Sequence, residues 1–258
     1  MLYEDIIVKQ GEIYEIMMNR PEKMNRLSNR CMDEIVNALK EATDDKKCYA
    51  IILGSSVENV FCYGGDLGDF RVLTPGEIKN YGDHFIKLHT SIRRTPKPVI
   101  CAIEGEAMGG GFSLIDACDL AVCAEDALLS IPELISGLVP AMGIAGIFKE
   151  MTNKNLMSLG LLGRKLTASE AMQYGLVNKT TARKDVLKSA REMADSFAGK
   201  SPTAIAVFKE IYRQMDMYVY ERRMETAQSL LISLFKSNDG QEVLNALEEE
   251  RNPVWKGN

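Results

Sequence analysis

Three consecutive glycines, Gly109, Gly110 and Gly111, lie between an apolar run over 98–103 that predicts a buried strand and residues 112–118 that predict a short helix. Glycine has no Cβ, so its backbone N–H can come close to a ligand. The N-terminus of a helix also presents unpaired N–H groups and the positive end of the helix dipole. This combination predicts a site that stabilises developing negative charge, such as an enolate or an oxyanion.

The glycine triplet does not have the spacing of a nucleotide-binding loop. A G-x-G-x-x-G dinucleotide turn would need glycines at 105, 107 and 110, but position 107 is alanine. The glycine triplet is also not followed by the Lys-Ser/Thr of a P-loop, because the next residues are Phe112 and Ser113. Tight packing of a helix on a strand is a purely structural alternative for the triplet, and it stays open at this point.

A second glycine-containing loop, Phe61-Cys62-Tyr63-Gly64-Gly65-Asp66-Leu67, follows another predicted buried strand over 49–54. Two strand ends therefore each lead into a glycine loop, and the loops are about 45 residues apart. One N–H group from each loop would form a two-donor oxyanion hole. An ordinary turn is the alternative for the pair Gly64-Gly65 taken alone.

The composition is that of a soluble globular protein with a substantial core. The chain has 258 residues, of which 46% are hydrophobic and 26% are charged, and no apolar run is long enough to predict a membrane span. The net charge of -5 and the pI of about 5.3 argue against nucleic acid as a partner. The six cysteines have no C-x-x-C spacing and the N-terminus has no signal-peptide pattern. We therefore expect free thiols, a cytoplasmic location and no metal site.

Several further patterns predict the elements that position these loops. Alternation over 3–18 predicts a strand hairpin, and Ser28 is a candidate N-cap for an amphipathic helix. Residues 77–93 predict a second amphipathic helix, on which His84 and His89 are interpreted as ordinary helix residues.

The second half of the chain is predicted to end in helices. Thr167 and Glu170 have the spacing of a capping box. Ser201-Pro202 then begins a run of helices that reaches about residue 249. The order of elements predicts an α/β domain followed by a helical tail.

Motifs along nearly the whole chain, in this order and at this spacing, resemble the crotonase (enoyl-CoA hydratase/isomerase) superfamily. They are Asn19-Arg20-Pro21-Glu22-Lys23-Met24-Asn25, Phe61 to Leu67, Gly109-Gly110-Gly111-Phe112, Ala117-Cys118-Asp119-Leu120-Ala121, Pro132-Glu133-Leu134 through Pro140, Leu166 through Val177, and the tail from Ser237 to Trp255. The resemblance implies an α/β fold with a crotonase-like spiral of ββα turns over 1–200 and a helical C-terminal trimerisation region over 201–258. It also implies a homotrimer or hexamer, an acyl-CoA thioester as substrate, and no cofactor beyond the coenzyme A of that substrate.

The resemblance further implies roles for individual residues. The backbone N–H groups of Tyr63 and Gly110 would form the oxyanion hole, which stabilises an enolate more than the neutral thioester. The residues implied on the CoA side are Met24, Arg26, Tyr63, Gly64, Gly65, Asp66, Leu67 and Gly110. Arg26 could approach a CoA phosphate, and a solvated loop residue is an equal alternative for it.

The chain departs from the two-acid hydratases of this family at one position. Those enzymes have one glutamate just after the glycine triplet and another about twenty residues later; the second is Glu133 here, but the first is Ser113. A hydroxyl is a poor general acid or base, although it can hydrogen-bond a water or a substrate hydroxyl. Asp116 shares a helix face with Ser113 and is a candidate second carboxylate, with a structural hydrogen-bonding role as the favoured alternative.

Glu133 alone can shuttle a proton between two carbons, as the resemblance implies for Δ3,Δ2-enoyl-CoA isomerases, so Ser113 favours isomerisation over hydration. A hydratase or hydratase-lyase that pairs Glu133 with Ser113 stays open, as does a polyketide β-branching dehydratase whose substrate is bound to an acyl carrier protein. A non-catalytic CoA or carrier-protein binding module is the alternative outside catalysis. An RNA-binding role is disfavoured by the acidic net charge. Candidate residues for the acyl pocket are Val72, Phe85, Leu138 and Met142.

Overall fold

A computed structural model describes residues 3–68, 73–147 and 151–255, apart from the side chains at 216–218 and 247. Its strands are β1 (Ile6–Lys9), β2 (Ile13–Met18), β3 (Ala50–Ser55), β4 (Val60–Cys62), β5 (Val99–Ile103), β6 (Glu106–Met108), β7 (Leu120–Ala124), β8 (Leu128–Ser130), β9 (Leu166–Thr167) and β10 (Lys179–Thr181). Its helices are α1 (Asn29–Asp44), α2 (Pro75–Arg94), α3 (Gly110–Ala117), α4 (Ala141–Ile147), α5 (Asn153–Leu162), α6 (Ala168–Gln173), α7 (Val186–Asp195), α8 (Pro202–Lys236) and α9 (Asn238–Glu248). The predicted α/β class is confirmed.

The larger sheet has the strand order β1-β2-β3-β5-β7-β10. Strands β1 and β2 form the predicted antiparallel hairpin, and the other neighbouring strands run parallel. Every residue of β3 and β5 is buried. Strands covered on both faces have continuous apolar sequences, which explains why these two strands show no polar alternation.

The smaller sheet has the order β4-β6-β8-β9, in which β4, β6 and β8 run parallel. The prediction that the buried strands β3 and β5 lead directly into the glycine loops is wrong, because β4 and β6 intervene. A three-residue strand is too short to produce a periodic pattern in the sequence. The carboxyl ends of β4, β6 and β8 share one edge of this sheet, so the segments that follow them emerge side by side.

Several helices begin at the predicted caps. Ser28 Oγ accepts a hydrogen bond from the Cys31 N–H at 3.1 Å at the start of α1. Thr167 and Glu170 form the reciprocal capping box before α6. Ser201 caps α8, so this helix begins at the predicted boundary between the core and the C-terminal region.

The second half of α8 packs against α2 and α4. Tyr220 and Met224 on this half are fully buried. Gln228 Nε2 donates to the Lys79 carbonyl oxygen at 2.9 Å. Gln228 fits there because Gly82 has no side chain: a Cβ on Gly82 would lie 2.2 Å from Gln228 Nε2. This half of the helix is therefore part of the same packed core as the sheets.

No helix within residues 3–68, 73–147 and 151–255 is both long enough and apolar enough to cross a membrane. The same residues contain no cluster of three or more histidine, cysteine, aspartate or glutamate side chains that could hold a metal ion. All six cysteines are free thiols.

Candidate active site

The carboxyl ends of β4, β6 and β8 open into one cavity of about 350 Å³. The glycine loop over 61–67 follows β4, the glycine triplet follows β6, and Glu133 comes shortly after β8. The two glycine loops are in contact, since a Cβ on Gly64 would lie 3.5 Å from the Gly110 nitrogen. Tertiary structure therefore brings together three segments that are distant in the sequence.

The wall of the cavity is mainly apolar. Its apolar and aromatic side chains include Leu67, Tyr81, Phe85, Leu138, Met142, Leu231 and Phe235. Three of the four candidate acyl-pocket residues are in this wall, and Val72 lies outside the described residues. Among the described lining residues, Arg26 and Glu133 are the charged ones.

Glu133 begins a 3₁₀ turn at the edge of the cavity. Its Oε1 atom lies against the Gly109 backbone, where a Cβ would be only 2.4 Å away, and Gly109 has a φ of +50° that favours glycine. Its Oε2 atom is buried and has no hydrogen-bond partner among the described residues. Burial raises the pKa of Glu133 to about 7, because the charged form loses its hydration. At neutral pH this carboxyl group can both accept and donate a proton.

The prediction that Tyr63 supplies an oxyanion-hole N–H is wrong for this geometry. The Tyr63 N–H donates to the Met24 carbonyl oxygen at 3.1 Å, so it is already used within the protein. Its side-chain hydroxyl hydrogen-bonds Glu106, which raises the pKa of Tyr63 to about 12. Tyr63 thus lines the cavity but has no N–H to offer a ligand oxygen.

The N–H groups of Gly65 and Gly110 have no acceptor among the described residues, and both glycines line the cavity. Two hydrogen bonds from the residues on either side of Gly65 hold this loop against Leu27 without using the Gly65 N–H. The Leu27 N–H donates to the Gly64 carbonyl oxygen at 2.8 Å, and the Asp66 N–H donates to the Leu27 carbonyl oxygen at 2.9 Å. Gly110 is the first residue of α3, where N–H groups lack a partner within the helix. Gly65 and Gly110, one on each glycine loop, are therefore two donors that remain available to a ligand oxygen.

The other residues implied on the CoA side differ in position. The Arg26 guanidinium lines the cavity and lies 3.5 Å from the Gly65 carbonyl oxygen. Asp66 is outside the lining and pairs with Arg20 at 2.8 Å. Met24 is half-exposed, also outside the lining, and its carbonyl oxygen rather than its side chain contacts the glycine loop.

Ser113 and Asp116 lie outside the cavity lining. Ser113 is fully buried, and its Oγ atom lies 3.0 Å from His89 Nε2 and 2.8 Å from the Gly110 carbonyl oxygen. The Asp116 side chain is also fully buried and accepts a hydrogen bond from Arg93 at 2.8 Å. This ion pair supports the structural interpretation of Asp116. In the described part of the chain, Glu133 is thus the single carboxylate that lines the cavity.

Sequence reasoning missed three features of this site. It assigned Gly65 to CoA contact alone and interpreted His89 as an ordinary helix residue. It also assigned the region beyond residue 200 to oligomerisation, although Leu231 and Phe235 of that region line the cavity. A signal was available for His89, which is four residues after Phe85 and therefore on the buried face of α2. No local signal indicates that α8 returns to the cavity.

The chain is similar to known proteins over nearly its whole length. A model of the enoyl-CoA hydratase/isomerase family matches residues 8–258. Carnitinyl-CoA dehydratase of Salmonella heidelberg (strain SL476) is 33% identical over 258 residues, which cover 97% of both chains. A structure of methylmalonyl-CoA decarboxylase in complex with 2-nitronate-propionyl-CoA has a TM-score of 0.85 and 26% identity over 100% of both chains. An enoyl-CoA hydratase structure from Bacillus anthracis has a TM-score of 0.77 and 28% identity, covering 99% of this chain and 100% of the other.

Proposed function

The chain belongs to the enoyl-CoA hydratase/isomerase family and is an enzyme of that family; from this premise we propose that it forms an enolate of an acyl-CoA thioester, with Glu133 as its single general acid/base. The backbone N–H groups of Gly65 and Gly110 hold the enolate oxygen in this proposal. The position of Glu133 carries the proposal: this carboxyl group lies against the glycine triplet, and its buried Oε2 atom has no hydrogen-bond partner among the described residues. Burial raises its pKa to about 7.

The proposed reaction begins when the α-proton of the acyl group moves to Glu133. The electron pair left on the α-carbon moves towards the thioester carbonyl, whose oxygen becomes the enolate oxygen. Two preorganised N–H groups interact more strongly with that charge than with the neutral carbonyl, so they lower the barrier. In a 3-enoyl thioester, protonated Glu133 then returns the proton to the γ-carbon, and the double bond finishes between the α- and β-carbons.

Isomerisation is a reaction that a single carboxyl group can complete without holding a water molecule. A pKa near neutrality suits both steps, because the group must act first as a base and then as an acid. A second carboxylate, which would hold a water molecule for hydration, is absent from the described lining of the cavity. This favours proton transfer between two carbons over the addition of water.

Dehydration is the second candidate, and the name of the Salmonella relative favours it. The first step would be the same removal of the α-proton by Glu133. The protonated carboxyl group would then give that proton to the departing β-hydroxyl, which leaves as water. A hydratase-lyase would instead release an aldehyde from a hydroxyacyl thioester, and a carrier-protein enzyme would act only on thioesters of an acyl carrier protein.

A thioester panel separates these reactions. Deuterium incorporation at the α-carbon of a saturated acyl-CoA in D₂O reports the common first step, and we expect it with the wild type but not with Glu133→Gln. A 3-enoyl-CoA and a 3-hydroxyacyl-CoA of equal chain length then distinguish isomerisation from dehydration by mass spectrometry of the products. Tight binding of acyl-CoA with neither exchange nor turnover would contradict the proposal and indicate a binding module.

We propose that Arg26 contacts a phosphate of coenzyme A at the cavity mouth. Its guanidinium lines the cavity beside Gly65, and arginine is well suited to phosphate oxygens.

The reaction as written needs no other cofactor. Six free cysteines fit a reducing compartment, so we also propose a cytoplasmic location.

We propose that the first half of α8 mediates assembly into a trimer or hexamer. It exposes an apolar stripe made of Val207, Phe208, Ile211, Tyr212, Met215 and Val219. Exposed apolar surface of this kind is typical of subunit contacts. Phe208→Glu together with Met215→Glu should reduce the mass in light scattering to that of one chain, 28.7 kDa. Ser229→Glu, on an exposed polar position of the same helix, is the control, and a monomeric wild type would contradict the proposal.

A further inference from the structure

A buried contact joins helix α2 to the first turn of α3, directly behind the proposed oxyanion hole. Ser113 on α3 and His89 on α2 are both fully buried. Ser113 Oγ lies 3.0 Å from His89 Nε2. Neither side chain lines the cavity, so any effect on the site passes through other residues.

The surroundings of His89 determine how its imidazole takes part in hydrogen bonds. Its ring stacks on Phe85 with a centroid distance of 4.1 Å, and Nδ1 lies 3.0 Å from the Phe85 carbonyl oxygen. Burial lowers the pKa of His89 to about 4, so the ring is neutral at pH 7. A carbonyl oxygen can only accept, which assigns the proton to Nδ1 and makes Nε2 an acceptor for the Ser113 hydroxyl.

Ser113 in turn contacts the two peptide groups on either side of Gly110. The Ser113 N–H donates to the Gly109 carbonyl oxygen at 3.2 Å, and this carbonyl belongs to the same peptide group as the Gly110 N–H. Ser113 Oγ lies 2.8 Å from the Gly110 carbonyl oxygen. The single hydroxyl proton therefore lies between two acceptors, His89 Nε2 and the Gly110 carbonyl. The Ser113 backbone N–H thus holds the peptide that carries the Gly110 N–H, and the Ser113 hydroxyl connects the following peptide to His89 on the neighbouring helix.

We propose that Ser113 and His89 are positioning residues that hold the Gly110 N–H in the direction of the enolate oxygen. The inference rests on the proposed function, in which Gly110 is one of two donors. It assigns Ser113 to the support of the hole and not to contact with substrate. Phe85 belongs to the same unit, since its ring stacks on His89 and would lie 3.1 Å from a Cβ on Gly110. An N–H group displaced by a fraction of an ångström loses more interaction with the enolate than with the neutral thioester.

The test compares binding of an anionic enolate mimic with binding of a neutral ground-state analogue. The probes are 2-nitronate-propionyl-CoA and propionyl-CoA, and calorimetry gives the Kd of each. We expect Ser113→Ala and His89→Phe to weaken nitronate binding by about 10- to 100-fold while propionyl-CoA binding stays within about twofold. His89→Gln retains an amide that can bond Ser113 and should recover most of the nitronate affinity.

A double-variant cycle adds a readout that a loss of packing would not produce. If Ser113 and His89 act as one unit, Ser113→Ala combined with His89→Phe should lose no more nitronate affinity than the weaker-binding single variant. Thr90→Val is the matched control, because it removes another intrahelical hydroxyl bond, to the Ile86 carbonyl at 2.8 Å, on the same helix as His89. It should leave both affinities unchanged.

The outcomes separate this proposal from the proposed function. If the wild type binds the nitronate no more tightly than propionyl-CoA, the oxyanion hole itself is refuted. If the wild type prefers the nitronate and Ser113→Ala keeps that preference, the positioning role is refuted and the hole stands. An equal loss for both probes would also refute it, as a general loss of packing. Ser113→Ala, which removes one oxygen atom, decides the question even if the His89 variants do not fold.

Discussion

Replacing Glu133 with glutamine should abolish the proposed proton transfer and at the same time stabilise the folded protein at alkaline pH. Burial raises the pKa of this carboxyl group from 4.5 to about 7. The folded state therefore binds more protons than the unfolded state between these values, so its stability falls as the pH rises through this window. With about 1.4 kcal/mol for each pKa unit, the accumulated cost at pH 8 is about 3 kcal/mol.

Glutamine has nearly the same shape as glutamate but carries no charge that must lose its hydration. The melting temperature of Glu133→Gln should exceed that of the wild type by about 6 °C at pH 8 and by no more than about 2 °C at pH 5. The kcat for the best thioester should fall at least about 100-fold. Glu104→Gln is a matched control: burial also raises the pKa of Glu104, but this residue does not line the cavity, so the variant should keep its activity.

Two results would refute this reasoning in different ways. Wild-type activity in Glu133→Gln would remove this residue from the chemistry, whatever its effect on stability. An equal change in melting temperature at pH 5 and pH 8 would show that Glu133 is not charged at a desolvation cost in the folded protein. A buried catalytic carboxyl group requires both results together: loss of activity, and a stabilisation confined to high pH.

Four further outcomes are expected. The kcat/KM of the wild type should rise about tenfold per pH unit below a midpoint near 7 and then level off, because only ionised Glu133 accepts the α-proton. A pH profile with no inflection between about pH 6 and 8 would contradict this expectation. Gly109→Ala should lower kcat by about 100-fold, because its Cβ would lie 2.4 Å from Glu133 Oε1. Gly76→Ala, outside the cavity lining and with its nearest atom at 3.8 Å from the new Cβ, should stay within a few-fold in the same assay. Arg26→Ala should raise KM about tenfold for CoA thioesters but not for N-acetylcysteamine thioesters, which lack the phosphates; an equal rise for both would count against the phosphate contact. Asn25→Ala should lower the free energy of unfolding by about 2 kcal/mol in urea titration, since the buried Asn25 amide bonds Ser55 Oγ at 2.7 Å and the Phe61 carbonyl at 3.2 Å.

The sequence alone determined the parts of this protein that depend on local chemistry. The α/β class followed from apolar runs and helical periods, and the starts of α1, α6 and α8 followed from their capping residues. The two glycine loops could be read directly from the residues that form them. Glu133 became a candidate through the resemblance to the family, because an isolated acid at the start of a helix is otherwise typical of a solvated surface.

The tertiary structure decided which of these groups are available for chemistry. The sequence analysis assigned the oxyanion-hole N–H to Tyr63 and gave Gly65 only a CoA contact. The Met24 carbonyl oxygen, which lies far away in the sequence, accepts the Tyr63 N–H and so excludes Tyr63 as the donor. The direction of the Ser113 hydroxyl likewise depends on His89, a residue of another helix. A backbone N–H or a hydroxyl has one proton to donate, and whether that proton reaches a ligand depends on acceptors that packing brings from elsewhere in the chain. Local sequence patterns contain no record of those acceptors.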